Sequence, residues 1–295
     1  MRVLELFAGS RSFSKAAEAR GHEVFTTDLE PFERIDVAID VLEFEPTMCP
    51  FVPEVVWASP PCESFSVASI GRHWTSGHEF LPKTPNARFG VKLLERTHHL
   101  IQTFLKLNPS LVWYVENPRG KMRKAPQWQN LDHVRHTVTY CQYGDERMKP
   151  TDVWTNNTSW TPRPMCKNGD PCHVAAPRGS RTGTQGLRTY LEKSAIPPEL
   201  CFEIVTASEN LNSSLTMPQN RFTNHTDLEV FEAYRTQCEN VGWTSSRATY
   251  LSELRVELER RFDCTEIIDG NSTSYATKQV DLSNGKITLR NGATK

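Results

Sequence analysis

The sequence contains no apolar run long enough to cross a bilayer and no excess of charge of either sign. It carries 34 Lys and Arg against 35 Asp and Glu, a formal net charge of -1. Overall charge therefore does not predict a nucleic-acid partner, and any such contact must come from local patches. No signal-peptide pattern opens the sequence, because residues 3–8 are predicted to form an apolar strand. We expect no membrane partner.

Dense, regular cysteine spacing is also missing. The eight cysteines are scattered over 295 residues, unlike those of a small secreted scaffold built on disulfides. We therefore expect a reducing compartment, the cytoplasm of a prokaryote or of a host cell. A chain of this length can bury a full core, and we predict one large domain with a smaller addition.

Strand-like segments alternate with amphipathic helical ones through the first two thirds of the chain. Strands separated by helices indicate a mostly parallel sheet with helices on both faces, so we predict an α/β fold with a doubly wound, Rossmann-like sheet. Helices are predicted at residues 12–20 and 89–107, and strands at residues 2–7, 23–27, 35–41, 54–59, 111–115, 136–142 and 151–154.

The segment Ser59-Pro60-Pro61-Cys62 follows the fourth of these strands. Two prolines cannot continue a strand, because each lacks an N–H and fixes φ. The turn therefore holds Cys62 at the carboxyl end of a strand, where open α/β sheets bind their ligands. Cys62 is a candidate nucleophile, and a buried structural cysteine is the alternative.

The first strand-to-helix turn contains Gly9, which permits a tight turn and the close approach of a ligand to the backbone. Asp28 closes the second strand and Asp40 the third, where carboxylates accept hydrogen bonds from ribose hydroxyls. Asp28 could equally cap a turn. Together these residues predict an adenosine-bearing cofactor across the ends of the first three strands, next to Cys62.

Five segments carry motifs in a fixed order: Leu4-Glu5-Leu6-Phe7-Ala8-Gly9, Ser59-Pro60-Pro61-Cys62-Glu63-Ser64-Phe65-Ser66, Val115-Glu116-Asn117-Pro118, Gln142-Tyr143-Gly144 with Arg147 and Lys149, and Lys193-Ser194-Ala195-Ile196-Pro197-Pro198-Glu199-Leu200. Their order and spacing over residues 1–208 resemble those of the DNA cytosine-5 methyltransferase family, which uses S-adenosylmethionine. The resemblance implies a class I methyltransferase fold and transfer of a methyl group to C5 of cytosine in DNA.

The chemistry of the residues agrees with this resemblance. A thiolate added to C6 of cytosine makes C5 enamine-like, so that C5 can take a methyl group from a sulfonium. Cys62 would supply the thiolate, and Glu116, if protonated, would hold N3, although a cap or a surface carboxylate is the alternative for Glu116. Arg147 or Lys149 would help to ionise the thiol and hold the base carbonyl.

The cofactor site that the resemblance and the strand-end positions imply consists of Phe7, Ala8, Gly9, Ser10, Phe13, Asp28, Leu29, Asp40, Val41, Ser59, Pro60 and Ser194. Three departures from the family pattern are present. Pro118 replaces the usual Val, and Ser194 stands where Asn is usual. In the motif with two arginines, Lys149 falls on the first position and Thr151 on the second, while Arg147 is two places early. The identity of the cation that orients the base is therefore open.

A base stacked in a duplex cannot receive this attack, so the substrate nucleotide must be extruded. Residues 63–88 show few helix signals and are predicted to form a mobile loop that closes over it. Residues 156–190, the recognition segment, are rich in basic residues and occupy the place of the family's target-recognition region. Double-stranded DNA is the predicted partner, with contacts from Ser64, Arg163, Lys167, Arg178, Arg181 and Arg188.

Cys166, Cys172 and His173 form a Cys-x5-Cys-His cluster inside the recognition segment. Zinc would tie down a segment with little core of its own. The spacing is not a standard zinc pattern and no fourth ligand is evident, with Cys141 as one candidate. We therefore assign no metal and keep these residues as zinc candidates.

The predicted domain boundaries follow from these segments. Residues 1–155 form the catalytic and cofactor-binding domain, and residues 191–208 return to complete it. Residues 209–226 are polar and are predicted to be a linker. Residues 227–295 form a small α+β appendage with helices at 227–239 and 250–262 and a hairpin turning at Asn284-Gly285. An RNA cytosine-5 methyltransferase and a non-catalytic nucleic-acid-binding relative are the alternatives, and we expect a monomer.

Overall fold

The structure is a computed structural model that describes the chain except residues 130, 132–133, 168, 176–186, 188, 217–220, 223, 240–244, 266, 270–271, 274–279 and 290–295. The chain divides into two compact units, Met1–Ser214 and Leu215–Lys295. Among the described residues, no helix combines the length and the apolar character that a membrane span requires.

Seven strands of the first unit form one sheet: β1 (Arg2–Leu6), β2 (Glu23–Asp28), β3 (Val37–Ala38), β4 (Val55–Ala58), β5 (Val112–Pro118), β6 (Arg135–Thr139) and β7 (Pro150–Thr155). Their order is β3-β2-β1-β4-β5-β7-β6. The first five strands are parallel, and β7 runs antiparallel to both of its neighbours. The predicted doubly wound, mostly parallel sheet is confirmed.

Helices cover both faces of this sheet: α1 (Ser12–Ala19), α2 (Ile70–His73), α3 (Pro85–Leu107), α4 (Pro126–Gln129), α5 (Tyr190–Ser194) and α6 (Pro198–Thr216). Adjacent residues of a strand point to opposite faces, so Leu4 packs in the cluster that contains the apolar side of α3, and Val3 packs with α1 and α6. Both strand faces are buried, which explains why the central strands are continuous apolar runs.

Several predicted elements have different bounds in the structure, and three of them are informative. The strand expected at 35–41 is reduced to the two residues of β3. The strand expected at 136–142 ends at Thr139, because residues Tyr140–Tyr143 turn as a 3-10 helix that Gly144 closes with a φ of 81°. The helix expected at 89–107 begins four residues earlier, where Pro85 fits the first turn and the Thr84 hydroxyl accepts the Ala87 N–H.

The linker predicted at 209–226 is wrong in its first part, because α6 continues to Thr216. Glu209 explains the continuation. Its carboxylate accepts hydrogen bonds from Arg20 Nε and from His22 Nε2, both at 2.8 Å, and Leu211 packs against the core two residues later. Residues 209–216 are therefore helical although their composition is polar.

The second unit contains α7 (Asp227–Glu239), α8 (Ser245–Arg261) and two antiparallel strand pairs, β8 (Ile268–Asp269) with β9 (Ser272–Thr273) and β10 (Val280–Ser283) with β11 (Lys286–Leu289). The predicted hairpin is confirmed. Asn284 and Gly285 adopt positive φ values of 50° and 75°, as a tight two-residue hairpin turn requires. The unit has a core of its own, with Val230, Tyr234, Leu258 and Ile287 fully buried.

Candidate active site

A cavity of about 360 Å³ opens at the carboxyl ends of β1, β4 and β5. The strand order reverses between β1 and β4, so the loops that follow these two strands diverge and leave a crevice between them. Residues 147–149 and 193–196 close its other side. Eleven predicted site residues line it: Phe7, Ala8, Gly9, Ser10, Ser59, Pro60, Cys62, Glu116, Arg147, Lys149 and Ser194.

The turn after β1 is held in an unusual backbone conformation. Phe7 and Arg11 adopt left-handed φ values of 56° and 54°, and Gly9 between them has a φ of 45°. Such conformations cost about 1–3 kcal/mol for a residue with a side chain and occur mostly at functional sites. The Gly9 N–H donates to Asp28 Oδ2 at 2.8 Å, which fixes the turn to the end of β2.

A second cavity of about 80 Å³ adjoins this turn and is lined by the remaining predicted cofactor residues except one. Asp28, Leu29, Asp40 and Val41 face it, together with the Phe7 side chain, which also lines the larger cavity. Asp28 accepts the Glu30 N–H through Oδ1 in addition to the Gly9 N–H through Oδ2, and Asp40 accepts the Leu42 N–H through Oδ1. Each carboxylate oxygen has a second acceptor site. The two cavities therefore meet at Phe7.

Phe13 is the exception among the predicted cofactor residues. Its ring is fully buried and stacks on Trp57 with ring centroids 4.7 Å apart. It lies on the apolar face of α1, which packs onto the sheet, so it supports the turn from the core and lines neither cavity.

Cys62 lies in the loop after β4, half-buried in the wall of the larger cavity. Its carbonyl accepts the N–H groups of Phe65 and Ser66, at 3.0 and 3.2 Å, so a tight turn follows the two prolines. Asn117 Nδ2 donates to Pro60 O at 2.9 Å and ties the loop to β5. Burial raises the pKa of the Cys62 thiol, and the Lys149 ammonium partly offsets this rise. The resting group is a thiol.

Glu116 is buried in β5, next to the loop that carries Cys62. Burial raises the pKa of the Glu116 carboxyl, although Lys149 and hydrogen bonds from Tyr140 and Ser59 lower it. Tyr140 Oη donates to Glu116 Oε1 at 3.1 Å. The Ser59 hydroxyl accepts the Trp57 indole N–H at 2.8 Å, which leaves its own hydrogen for the carboxyl. The site thus favours a protonated Glu116 that can donate.

The two candidate cations have different surroundings. Arg147 Nε lies 2.9 Å from Asp145 Oδ1, and its other nitrogens bond the carbonyls of Glu192, Lys193 and Ala195 at 3.2–3.3 Å. Arg147 is therefore neutralised by Asp145, and it holds the return segment, residues 191–208, in place. Lys149 Nζ lies 4.6 Å from the centre of the Tyr140 ring and favours the charged forms of both Cys62 and Glu116. Of the two cations, Lys149 is the one whose charge opposes the effect of burial on the pKa of Cys62.

Two of the predicted DNA contacts have other partners. Arg163 Nη1 lies 2.6 Å from Glu199 Oε2 and 2.7 Å from the Gln142 carbonyl, so it binds the recognition segment to α6. Ser64 is buried, and its carbonyl accepts the Trp74 indole N–H at 2.6 Å. Lys167 is exposed. Arg178, Arg181 and Arg188 lie outside the described residues.

Residues 63–88 contain more structure than the sequence indicated. Trp74 is buried between Phe65 and Phe80, with ring centroids 5.6 and 4.5 Å away. The short helix α2 precedes it, and Lys83 N donates to the His73 carbonyl at 2.9 Å. This segment therefore has a small packed centre of its own.

Three site residues escaped sequence reasoning. Glu5 lines the larger cavity, and burial raises its pKa to about 7 although Ser14 donates to it from both its N–H and its hydroxyl. Its signal was a charged residue inside an apolar strand. Tyr140 holds Glu116, as described. Gly120 lets the loop after β5 pass the nucleophile loop, because a Cβ there would lie 2.1 Å from the Phe65 carbonyl oxygen.

The zinc candidates Cys166, Cys172 and His173 come together in the structure, and Cys141 joins them. Cys141 follows Tyr140 in the 3-10 turn after β6, so the cluster borders the active site through one peptide bond.

Comparison with known proteins gives one substantial relative. No family model matches the chain. Over 227 residues it is 31% identical to a protein of Frog virus 3 (isolate Goorha) named probable DNA (cytosine-5)-methyltransferase, covering 70% of this chain and 99% of that protein.

Two solved structures are similar at low identity. One is a putative DNA modification methyltransferase encoded within an E. coli prophage, with 15% identity, a TM-score of 0.39, and coverage of 60% of this chain and 57% of that one. The other is the S. pombe Dnmt2 methyltransferase, with 12% identity, a TM-score of 0.35, and coverage of 52% and 48%. The chain thus spans about half the length of each. With the viral relative matched over nearly its whole length, the chain belongs to the DNA (cytosine-5)-methyltransferase family.

Proposed function

We propose that this protein transfers a methyl group from S-adenosylmethionine to C5 of cytosine in duplex DNA, with Cys62 adding covalently to C6 of an extruded base. The observation that carries the proposal is the juxtaposition of Cys62, in the loop after β4, and Glu116, in the neighbouring parallel strand β5, in one cavity that also contains the Gly9 turn. A thiol and a carboxyl of raised pKa in such a crevice fit attack on C6 and donation to N3.

The two adjoining cavities fit the parts of S-adenosylmethionine. The smaller one has apolar walls at Phe7, Ile39 and Val41 for an adenine ring, and carboxylates at Asp28 and Asp40 for ribose hydroxyls and amino groups. The larger one carries Glu5 and the turn at Gly9 beside Cys62, which suits a positively charged amino-acid end. When bound there, S-adenosylmethionine supplies the methyl group as a sulfonium electrophile.

Cys62 begins the reaction. Its sulfur forms a bond to C6 of cytosine, and the C5–C6 double bond supplies the electrons that make C5 nucleophilic. After C5 is methylated, loss of the C5 proton and cleavage of the bond from sulfur to C6 restore the aromatic base and the free cysteine. The rigid Pro60-Pro61 turn and the hydrogen bond from Asn117 to Pro60 hold the sulfur in position throughout.

Glu116 supports the addition by donating its proton to N3 as negative charge develops on the ring. Its burial keeps the carboxyl protonated, and Tyr140 and Ser59 orient it through their hydrogen bonds. Neutral Glu116 also avoids placing a second negative charge beside the thiolate.

Lys149 lowers the cost of forming the thiolate in the cavity. Burial alone would keep Cys62 protonated, and the ammonium of Lys149 opposes that effect. This assigns to Lys149 the role that the family's first arginine would have. Arg147, paired with Asp145, instead positions the return segment.

The remaining segments would serve the nucleic acid. We propose that residues 63–88 close over the extruded base as a unit packed on Trp74, and that the recognition segment, residues 156–190, contacts the duplex. Exposed Lys167 supports the second assignment, because phosphate contacts are made by cations that remain accessible.

The decisive experiment incubates the full chain with methyl-labelled S-adenosylmethionine and either duplex DNA or RNA of matched sequence, and then identifies the labelled base. We expect label in 5-methylcytosine of DNA. In a parallel assay, duplex DNA containing 5-fluorocytosine should trap the wild-type chain in a complex that survives denaturing electrophoresis, because the fluorine cannot leave as a proton does.

Cys62→Ala should abolish both signals, while Cys49→Ala, a buried cysteine outside the cavity, should retain them. Label confined to RNA would favour the RNA alternative and contradict the DNA assignment. Label in adenine, or full activity of Cys62→Ala, would contradict the mechanism itself.

A further inference from the structure

Three thiols and one imidazole converge at a place that the methyl-transfer chemistry does not use. The Cys₃His cluster consists of Cys141, Cys166, Cys172 and His173, whose donor atoms all lie within 4.8 Å of one another. The Sγ atoms of Cys141 and Cys166 are 3.1 Å apart, and those of Cys141 and Cys172 are 3.6 Å apart. His173 Nδ1 lies 3.8 Å from Cys166 Sγ and 3.7 Å from Cys172 Sγ.

We propose that the Cys₃His cluster binds one Zn²⁺ as a structural site. Zinc in such sites takes four protein ligands in a tetrahedron, with bonds of about 2.3 Å to sulfur and about 2.0 Å to nitrogen. These bond lengths place neighbouring sulfurs about 3.8 Å apart, and sulfur about 3.6 Å from nitrogen. The separations of 3.6, 3.7 and 3.8 Å fall close to these edges, and the 3.1 Å between the sulfurs of Cys141 and Cys166 is shorter. Movement of these two side chains apart would complete the tetrahedron.

The composition of the cluster favours zinc over the other ways of using these residues. A disulfide requires a bond of about 2.05 Å between two sulfurs, and it would leave one thiol and His173 beside it without a role. Hard cations such as Mg²⁺ and Ca²⁺ prefer oxygen ligands, whereas thiolate and imidazole together suit Zn²⁺. On binding, each thiol loses its proton to solvent, three in all, and neutral His173 binds through its Nδ1 lone pair.

The backbone presents the ligands in a prepared form. Lys167 N donates to Asp170 Oδ2 at 2.6 Å and Asp170 N donates to the Lys167 carbonyl at 3.1 Å, so a turn closes between Cys166 and Cys172. Two further bonds connect this part of the chain to the catalytic domain: Cys166 N to Thr139 Oγ1 at 3.0 Å, and Val174 N to the Glu146 carbonyl at 2.9 Å.

The recognition segment needs such a fastening. Residues 161–167 contain neither helix nor strand, and from residue 161 to 175 the described side chains bury only Cys166 fully. A segment with so little apolar burial cannot offset its own ordering entropy, and metal binding supplies the missing free energy. The inference rests on the cluster alone and does not depend on which base the protein methylates.

The test is metal analysis of the full chain purified under reducing conditions without added chelator. We expect about one zinc per chain in the wild type, on the stoichiometry of a single four-ligand site. Cys172→Ser should lose the metal, and because Cys172 is exposed, its substitution leaves the core intact. Cys264→Ser is the control, since its sulfur donates to the Leu258 carbonyl and a hydroxyl can do the same.

A second measurement does not depend on how any variant folds. Wild-type protein stripped of metal and titrated with Co²⁺ should develop the visible absorption of tetrahedral cobalt, and a near-ultraviolet charge-transfer band of the intensity given by three thiolates. Added Zn²⁺ should displace both. Absence of bound metal together with no cobalt spectrum in the reduced protein would overturn the proposal, as would peptide mapping that finds Cys141 and Cys166 joined by a disulfide in freshly purified protein.

Discussion

The active-site edge of the sheet and the recognition segment are held in place by different means. At the edge, Cys62 follows β4 and Glu116 lies in β5, two neighbouring strands that are buried on both faces. Backbone and amide hydrogen bonds fix the loop that carries Cys62. In the recognition segment, the stretch from residue 156 to residue 175 is held mainly through side chains, including those of Asn156, Asn157, Trp160, Arg163 and the Cys₃His cluster.

The difference shows that one chain can position its reacting groups accurately and still keep an exposed segment for contacts. Groups that react must be positioned to within a fraction of an ångström, and at this edge the packed sheet and the hydrogen bonds of its loops provide that. A surface that contacts a nucleic acid needs exposed cations and loops, which cannot contribute much to a core. In the recognition segment, a few local side-chain contacts take the place of a packed core. Five changes test this contrast.

Glu116→Gln should have the largest effect on rate. An amide of similar shape keeps the packing but is a far weaker proton donor to N3, so kcat should fall by about 10²–10⁴-fold, the usual contribution of a general acid. Single-turnover methylation of duplex DNA measures it. Glu63→Gln, an exposed carboxylate at the rim of the same cavity, should remain within a few-fold of wild type; equal losses in both would remove the special role of Glu116.

Gly120→Ala should be the next largest. The added methyl group would lie 2.1 Å from the Phe65 carbonyl oxygen, so the loops after β4 and β5 must separate. A displacement of about 1 Å at reacting groups costs roughly 10²-fold in rate. Gly71→Ala is a matched control, because its Cβ would meet nothing within 4 Å. Full activity of Gly120→Ala would show that the edge tolerates more movement than its packing indicates.

The buried edge should also make stability depend on pH through Glu5. Its pKa is about 7 in the folded chain and about 4.5 in the unfolded one, so its stabilising contribution is complete below pH 4.5 and is lost as the pH rises through 7. The loss is roughly 3 kcal/mol, at about 1.4 kcal/mol per pH unit. Urea unfolding of Glu5→Gln at several pH values should show a correspondingly flatter profile, and parallel profiles would contradict the assignment.

Lys149→Met should shift the pH dependence of Cys62 rather than abolish activity. Without the ammonium the thiol pKa rises further, so alkylation of Cys62, followed by peptide mass mapping, should require a higher pH. We expect about a tenfold slower reaction near neutrality, equivalent to one unit of pKa. Arg147→Met should leave this profile in place and instead lower stability, because it leaves Asp145 without its partner.

The smallest effect should come from the recognition segment. Lys167→Ala should reduce the slope of log affinity against log salt by about 0.9, the value for one phosphate contact. Arg163→Ala should leave the slope unchanged, since the Arg163 guanidinium is already paired with the carboxylates of Glu199 and Glu203. Filter binding to duplex DNA between low and moderate salt distinguishes them, and identical slopes for Lys167→Ala and wild type would remove Lys167 from the interface.

The parts of the site that depend on strand ends could be predicted from sequence. Cys62, Glu116, Gly9 and Asp28 each follow or end a short apolar run, and the rules of parallel sheets bring such ends together. Which of the two cations, Arg147 or Lys149, is available to act on Cys62 could not be predicted, because this depends on a turn that pairs Arg147 with Asp145.

Contacts between segments distant in sequence were equally hidden. Cys141 lies 25 residues from Cys166, and no spacing rule connects them before the fold is known. Gly120 carries no local signal for the carbonyl that approaches it. The continuation of α6 past residue 208 could not be predicted, because Glu209 and Leu211 have partners outside the helix, which composition does not reveal.

The 3-10 turn at Tyr140–Tyr143 connects the active site to the Cys₃His cluster. Tyr140 holds the Glu116 carboxyl, and Cys141, the next residue, belongs to the Cys₃His cluster. This one turn therefore contains both a residue that orients Glu116 and a residue of the cluster that fastens the recognition segment. Oxidation of the thiols would therefore disturb the support of Glu116 and the fastening of the recognition segment together.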